Sequence, residues 1–286
     1  MVNILLSGNN KVFDGALSEL ISITNKTKEA ITCYIFTMDL TRVKEDYKCI
    51  DDKQIEFLNK IVKEQNKNSK VIKIDVTQIY EEEFGHGKNE NAYCTPYTLL
   101  RLLADKIPDM PEKLLYLDID MMVAGDISEL YNIDVTDYEY VAVKEKYGSK
   151  FIRYDYINAG MLLLNMKKIK ETRLLEKARQ LIKTRKLPFA DQDAIFWSTT
   201  KKKLIPRRFN EQRSFNKDDT LICHFCKRLC FNPYPHVTNY KQWHIDEIHK
   251  YYKCYKFDND LEEYLKQKAE FENKKEEIKF ELVESI

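Results

Sequence analysis

The chain has 286 residues, with 47 Lys+Arg against 46 Asp+Glu and only 7 Gly. That length suits one large α/β domain or two small ones, and the near-zero net charge excludes a nucleic-acid binder working through a global basic field. Average usage would supply roughly 20 glycines, and the familiar glycine-built phosphate cradles are missing: Gly85-His86-Gly87 lacks a third glycine, and no GxxxxGK[ST] occurs.

The N-terminus runs directly into Val2-Asn3-Ile4-Leu5-Leu6-Ser7, without a basic n-region or an h-region. No apolar stretch approaches the ~18 residues of a membrane span. Cys33, Cys49, Cys94, Cys223, Cys226, Cys230 and Cys254 are an odd, scattered set. Together these features predict a reduced, cytoplasmic setting with free thiols.

Strands and helices then alternate. Ile4–Leu6 reads as a short buried strand, and Phe13, Leu17, Leu20 and Ile21 mark one face of a helix. Ile31–Phe36 is β-branched and aromatic, a second strand. Ile55, Leu58, Ile61 and Val62 trace the next helix, and Val71–Val76 a third strand. A helix over Tyr97–Lys106 ends before Pro108 and Pro111. Leu114–Leu117 is a fourth strand running into Asp118-Ile119-Asp120. Val141–Val143 and Met161–Leu164 add strands, and Leu174–Lys186 a helix. This rhythm predicts an α/β fold on a mostly parallel buried sheet, with residues 1–245 as one catalytic domain. Residues 246–286 become charged and helical, an extension packing on that domain.

Asp118-Ile119-Asp120 is the first candidate for chemistry. An apolar strand delivers two carboxylates to the sheet edge where open α/β sheets bind ligands. Carboxylates at that spacing repel unless a cation lies between them, and a hard divalent ion bridging to phosphates meets that need. A phosphatase motif with Asp118 as nucleophile is a weaker reading, because Met121 stands where Thr or Val is required and three strand–helix units precede it. His224 closes the strand Leu221–Phe225 and, joined to the two carboxylates, makes a credible Mn²⁺ set. Cys223, Cys226, Cys230 and His236 follow no familiar zinc spacing, and strand alternation separates the first two.

Asp191-Gln192-Asp193 precedes the apolar turn Ala194–Trp197, either as an N-cap or as a sugar-facing group. Asn158-Ala159-Gly160 opens the strand Met161–Leu164, where Gly160 allows close backbone approach. Lys201–Lys203 with Arg207 and Arg208 reads as a solvated basic loop, with an anionic-acceptor or membrane-surface patch as the less common alternative.

Taken in order, Leu115-Tyr116-Leu117-Asp118-Ile119-Asp120, Ile157–Gly160, Asp191–Asp193 and His224-Phe225 resemble glycosyltransferase family 8, which includes glycogenin and bacterial lipopolysaccharide galactosyl- and glucosyltransferases. The likeness covers roughly residues 2–245. It implies a GT-A fold and retaining transfer of glucose or galactose from a UDP-sugar with Mn²⁺ or Mg²⁺. Asp118, Asp120 and His224 would bind the metal. Arg101 matches the family's basic residue over the diphosphate, while Asn158, Ala159, Asp191 and Gln192 match residues around the donor sugar. Gln192 would position or stabilise the reacting centre and Asp191 hold hydroxyls. Asn9 and Asn10 fall where the family contacts uridine, and Ile119 lies within the donor-binding motif.

The chain departs from the family's closing HYxGxxKPW: it reads His224-Phe225-Cys226-Lys227-Arg228, with Lys241-Gln242-Trp243 later. Lys241 is the candidate diphosphate lysine and Lys227 the reserve. The acceptor class implied is a glycan, lipid-linked sugar or protein, with no nucleic acid and at most weak peripheral membrane contact. A sugar-nucleotide-binding scaffold without catalysis is the remaining alternative.

Overall fold

The computed structural model describes residues 1–87, 89–90, 95–231 and 234–284, with the backbone alone for 275–284; Cys94 lies outside them. Strands β1 (Val2–Ser7), β2 (Ile31–Thr37), β3 (Lys70–Asp75), β4 (Lys113–Leu117), β6 (Tyr140–Lys144), β7 (Ile157–Asn165) and β8 (Lys202–Ile205) form one sheet, ordered β3-β2-β1-β4-β7-β6-β8. Strands β1 to β4 are mutually parallel, β7 runs antiparallel to β4 and β6, and β8 is parallel to β6. A mostly parallel sheet is therefore what the apolar runs build, since the central strands are covered on both faces.

Alternation along the strands feeds two cores. Ile4, Leu6, Leu115 and Leu117 pack with the helix Phe13–Thr24 and the helix Asp52–Gln65 on one face. Leu5, Leu114 and Tyr116 pack on the other with Leu99, Leu100, Leu103 and the helices Leu174–Thr184 and Ala190–Ser198. Asp51 starts the second helix with a complete capping box to Gln54. Pro96–Lys106 is a 3-10 helix, where apolar spacing predicts an ordinary helix; Pro at its start suits either.

Two expectations change. Lys202–Ile205 belongs to β8 at the sheet edge instead of to a solvated loop. Its lysines are satisfied locally: Lys202 Nζ lies 2.8 Å from Asp155, and Lys203 donates to the Asp134 carbonyl at 3.3 Å. Edge lysines also oppose pairing with another chain. Asn158–Gly160 lies inside β7 and not ahead of it.

Strands β5 (Met121–Val123) and β9 (Ile222–His224) form a short antiparallel pair with Met121 opposite His224. Strands β10 (Arg228–Cys230) and β11 (His236–Thr238) make a hairpin. The chain then runs through helices Ile245–Tyr252 and Asp258–Glu284. The last crosses the first helix: Tyr264 donates to Asp14 at 2.8 Å, Lys26 pairs with Asp260, and the Phe271 ring lies 4.5 Å from that of Phe13. No helix of the described residues is long and apolar enough to cross a membrane.

Candidate functional site

The antiparallel direction of β7 sets up the site. Its first residues lie where β4 ends, and the Asp118 N–H donates to the Gly160 carbonyl at 2.7 Å. Asp118-Ile119-Asp120 itself is a turn between β4 and β5, not an extended segment. The β5–β9 pair brings His224 against that turn, and the Phe225 N–H donates to the Asp120 carbonyl at 2.7 Å.

Ligand atoms of Asp118, Asp120 and His224 all lie within 4.8 Å of one another, the one such group among the described residues. His224 Nε2 is 3.0 Å from Asp120 Oδ1 and 3.7 Å from Asp118 Oδ2. A chain of hydrogen bonds orients its ring. The Gly160 N–H donates to Asn158 Oδ1 at 3.0 Å, so that atom is oxygen. Asn210 Nδ2 donates to the same oxygen at 2.9 Å, which leaves Asn210 Oδ1 to face His224 Nδ1 at 3.0 Å. Nδ1 therefore carries a proton, and Nε2 is the ring nitrogen that faces the carboxylates. A second partner of this kind orients metal-ligating histidines generally. Two carboxylates and this nitrogen fit a divalent Mn²⁺ or Mg²⁺ ion.

Gly160 is required here by space. A Cβ at this position would lie 2.4 Å from His224 Cε1 and 2.7 Å from Asp118 Oδ2.

Arg101, from the 3-10 helix, is 3 % exposed and organises the other side. It lies 2.7 Å from Asp118 Oδ1 and 3.2 Å from Asp191 Oδ2, and it donates to the carbonyls of Ala159 and Thr98. Its guanidinium rests 4.0 Å from the Tyr116 ring centroid, and Tyr116 donates its hydroxyl to Asp118 Oδ1 at 2.7 Å. Burial alone would lower the guanidinium's pKa, yet Asp118 and then Asp191 raise it. Asp191 is pushed up to about 6 by burial, against the pull of Arg101.

Asp191 and Gln192 lie in the first turn of the helix Ala190–Ser198, whose N-cap is Phe189. The expected capping role belongs to Asp193, which accepts from the Phe189 N–H at 2.9 Å. Gln192 is fixed at both ends: Oε1 accepts from Ala159 N at 3.0 Å, and Nε2 donates to the Tyr156 hydroxyl at 3.2 Å. Both main-chain groups of Ala159 are thus engaged by protein.

Lys241 reaches the same centre from far along the chain. Its ammonium pairs with Asp120 and donates to the Phe225 carbonyl at 3.1 Å. Burial opposes ionisation of Asp120, but Lys241 and then His224 hold its pKa well below the usual carboxylate range. Gln242 donates to the Ile119 carbonyl at 3.1 Å, and Trp243 packs where Gly15 leaves room. Asn9 caps the turn Asn10–Val12. Asn10 lines a cleft of about 490 Å³ with Lys44, Glu45, Asp46 and Lys48, and its Oδ1 is buried without a partner among the described residues.

Tyr116, Tyr156 and Asn210 escape a reading of the sequence alone. Tyr116 looks like a core strand residue, Tyr156 ends a loop, and Asn210 lies in an irregular segment with no motif around it.

The model of glycosyl transferase family 8 matches residues 3–247. A putative glycosyltransferase of Haemophilus influenzae is 24% identical over 86% of this chain and 79% of its own length. Lipopolysaccharide 1,3-galactosyltransferase of Salmonella typhimurium is 25% identical over 50% of this chain and 48% of its own. Among solved structures, an LgtC active-site mutant superposes with a TM-score of 0.64 at 17% identity, over 94% of this chain and 96% of that one. The bifunctional WbbM gives 0.69 at 14% identity, and this chain spans 51% of its length. The architecture is accordingly the GT-A fold. With the family model spanning the sheet, the carboxylate turn and His224, the chain belongs to glycosyl transferase family 8.

Proposed function

We propose that the chain is a metal-dependent retaining glycosyltransferase that moves glucose or galactose from a UDP-sugar to an acceptor hydroxyl, in assembly of a bacterial surface glycan in the cytoplasm. The observation that carries the reading is the convergence of Asp118, Asp120 and His224 beside Arg101 and Lys241. Relatives named as lipopolysaccharide galactosyl- and glucosyltransferases support the sugar class. Residues 1–245 would be the catalytic domain and 246–286 its packed extension.

Asp118, Asp120 and His224 would hold Mn²⁺ or Mg²⁺, which when bound neutralises charge on a departing diphosphate. The protein's own contributions follow from what each group touches. Lys241 places a cation next to Asp120, suited to meeting diphosphate oxygens as they gain charge. Arg101 holds Asp118 and Asp191 in place. Asn9 and Asn10 lie at the mouth of β1, where the unpartnered Asn10 oxygen suits an N–H donor of the base or a hydroxyl of the ribose. Asn158 and Gln192 flank the donor sugar.

Retention through a covalent intermediate needs a carboxylate under the anomeric carbon. Asp191 is engaged by Arg101, and Gln192 is a poor nucleophile held by Ala159 and Tyr156. Front-face attack by the acceptor hydroxyl, its proton passing to the leaving phosphate, fits these constraints. Gln192 would position the reacting centre, and Asp191 would hold hydroxyls.

The test is UDP release from UDP-glucose and UDP-galactose with Mn²⁺, with EDTA, and in Asp120→Ala. Release that needs metal and falls at least ~100-fold in the variant is expected. Release from neither donor, or release indifferent to EDTA, overturns the reading; a glycosyl adduct trapped on Asp191 overturns the front-face route.

A further inference from the structure

The loop 145–156 joins the end of β6 to the start of β7, and so emerges at the sheet edge that carries Asn158 and Asp118. The β10–β11 hairpin begins four residues after His224 and ends three before Lys241. Both segments therefore rim the mouth of the site. They touch each other through Tyr147 and Phe231, whose ring centroids are 6.4 Å apart, and through Arg213, which lies 4.7 Å from the Tyr147 ring and donates to the Leu229 carbonyl at 3.2 Å.

This rim is unusually apolar for a solvated surface. Phe151 is 81 % exposed, Tyr154 73 %, Tyr234 66 %, Phe231 59 %, Val237 56 % and Leu229 40 %. Leu229 and Val237 are directly opposed across the hairpin, so they share its outer face. Exposed apolar residues scattered singly need no explanation, whereas a joined patch marks an interaction surface.

The cations around it divide into two sets. Neighbouring Arg153, Lys202 and Arg208 pair with Asp155, Asp155 and Glu129. Lys146, Lys150, Arg207 and Arg213 form no ion pair with a carboxylate among the described residues. They are close enough that Arg213, Arg207 and Lys150 add to burial in lowering the Lys146 pKa, with Glu211 only partly opposing them. Aromatic and aliphatic tips set among unpaired Lys and Arg match an anionic bilayer interface, where rings sit at headgroup depth and cations meet acidic lipid. Sugar stacking would account for the tyrosines but not for outward Phe151, Leu229 and Val237.

We propose that the rim formed by loop 145–156 and the β10–β11 hairpin docks on an anionic lipid surface, turning the mouth of the site toward the bilayer. If the transferase reading above holds, the acceptor is then lipid-linked, presented from the membrane plane.

The test is sedimentation of the full chain with phosphatidylcholine vesicles and with vesicles containing about one-third phosphatidylglycerol, alongside Phe151→Ser/Phe231→Ser and Lys150→Glu/Lys146→Glu. Capture by acidic vesicles alone, weakened at least ~5-fold by each pair of changes and by high salt, is expected. Equal capture by neutral vesicles, no capture, or capture unchanged in both variants overturns the proposal. So does a concentration-dependent dimer lost in Phe151→Ser/Phe231→Ser, which would assign the face to a second copy. UDP release measured without vesicles is expected to be unchanged in these variants, so loss of docking and failure of the transferase reading are separate results.

Discussion

Asn210 Oδ1 lies 3.0 Å from His224 Nδ1 and accepts that nitrogen's N–H, which turns Nε2 toward the two carboxylates. The constraint starts from a backbone group that cannot flip, the Gly160 N–H, and passes through Asn158. Asn210→Ala is therefore expected to weaken Mn²⁺ binding by roughly 10–100-fold, the usual cost of losing such a partner, with the metal-free fold kept. Calorimetric titration of Mn²⁺ checks this; an affinity within twofold of the parent refutes the role.

Gly160→Ala puts a methyl group 2.4 Å from the imidazole and 2.7 Å from the Asp118 carboxylate. One of the two must move, and neither is the loose end of a flexible side chain. Overpacking of this kind costs about 1–3 kcal/mol. Urea unfolding is expected to show that loss, and Mn²⁺ titration a weaker site.

Arg101 compensates two carboxylates at once while almost fully buried. Arg101→Met removes that compensation and is expected to cost about 3–5 kcal/mol at neutral pH. Arg101→Lys keeps a charge but loses the planar fork, so it should recover only part of the loss. Urea midpoints of the three proteins decide it.

Asp191 has a pKa of about 6 in the folded protein, above the ordinary value of 3.8. Its raised value means the native state keeps a proton that the unfolded chain releases. The associated stability is fully present below pH ~4 and is lost as pH rises through about 6, a span worth roughly 3 kcal/mol. Asp191→Asn has no such proton to lose. Between pH 4 and pH 7 its stability is expected to improve relative to the parent by about that amount, read from urea unfolding at each pH.

Much of the fold is legible in the sequence because its chemistry is local. The apolar runs Ile31–Phe36 and Leu114–Leu117 can hardly be anything but buried strands, and Asp118-Ile119-Asp120 announces its charge problem by itself. His224 is legible only as the end of a strand; the pairing of Met121 with His224 that gives it meaning spans a hundred residues. Asn210 is invisible because an asparagine in a loop is ordinary until its partners are known. Tyr116 alternates like any core residue, and its hydroxyl matters only once Asp118 and Ser7 lie beside it. Lys202 misleads for the opposite reason: its charge suggests solvent, while its ammonium lies 4.6 Å from the centroid of the Phe196 ring and 2.8 Å from Asp155.

Lys241 and Asp120 meet across 121 residues of chain. At roughly 5–20 residues per second of synthesis, the ribosome takes about 6–24 s to travel from one to the other. For that interval the nascent chain carries both acids of the turn without the ammonium that later neutralises one of them, and for most of it without His224. Burying the turn early would strand its charge. Closing the site is therefore an electrostatic step that waits for Lys241.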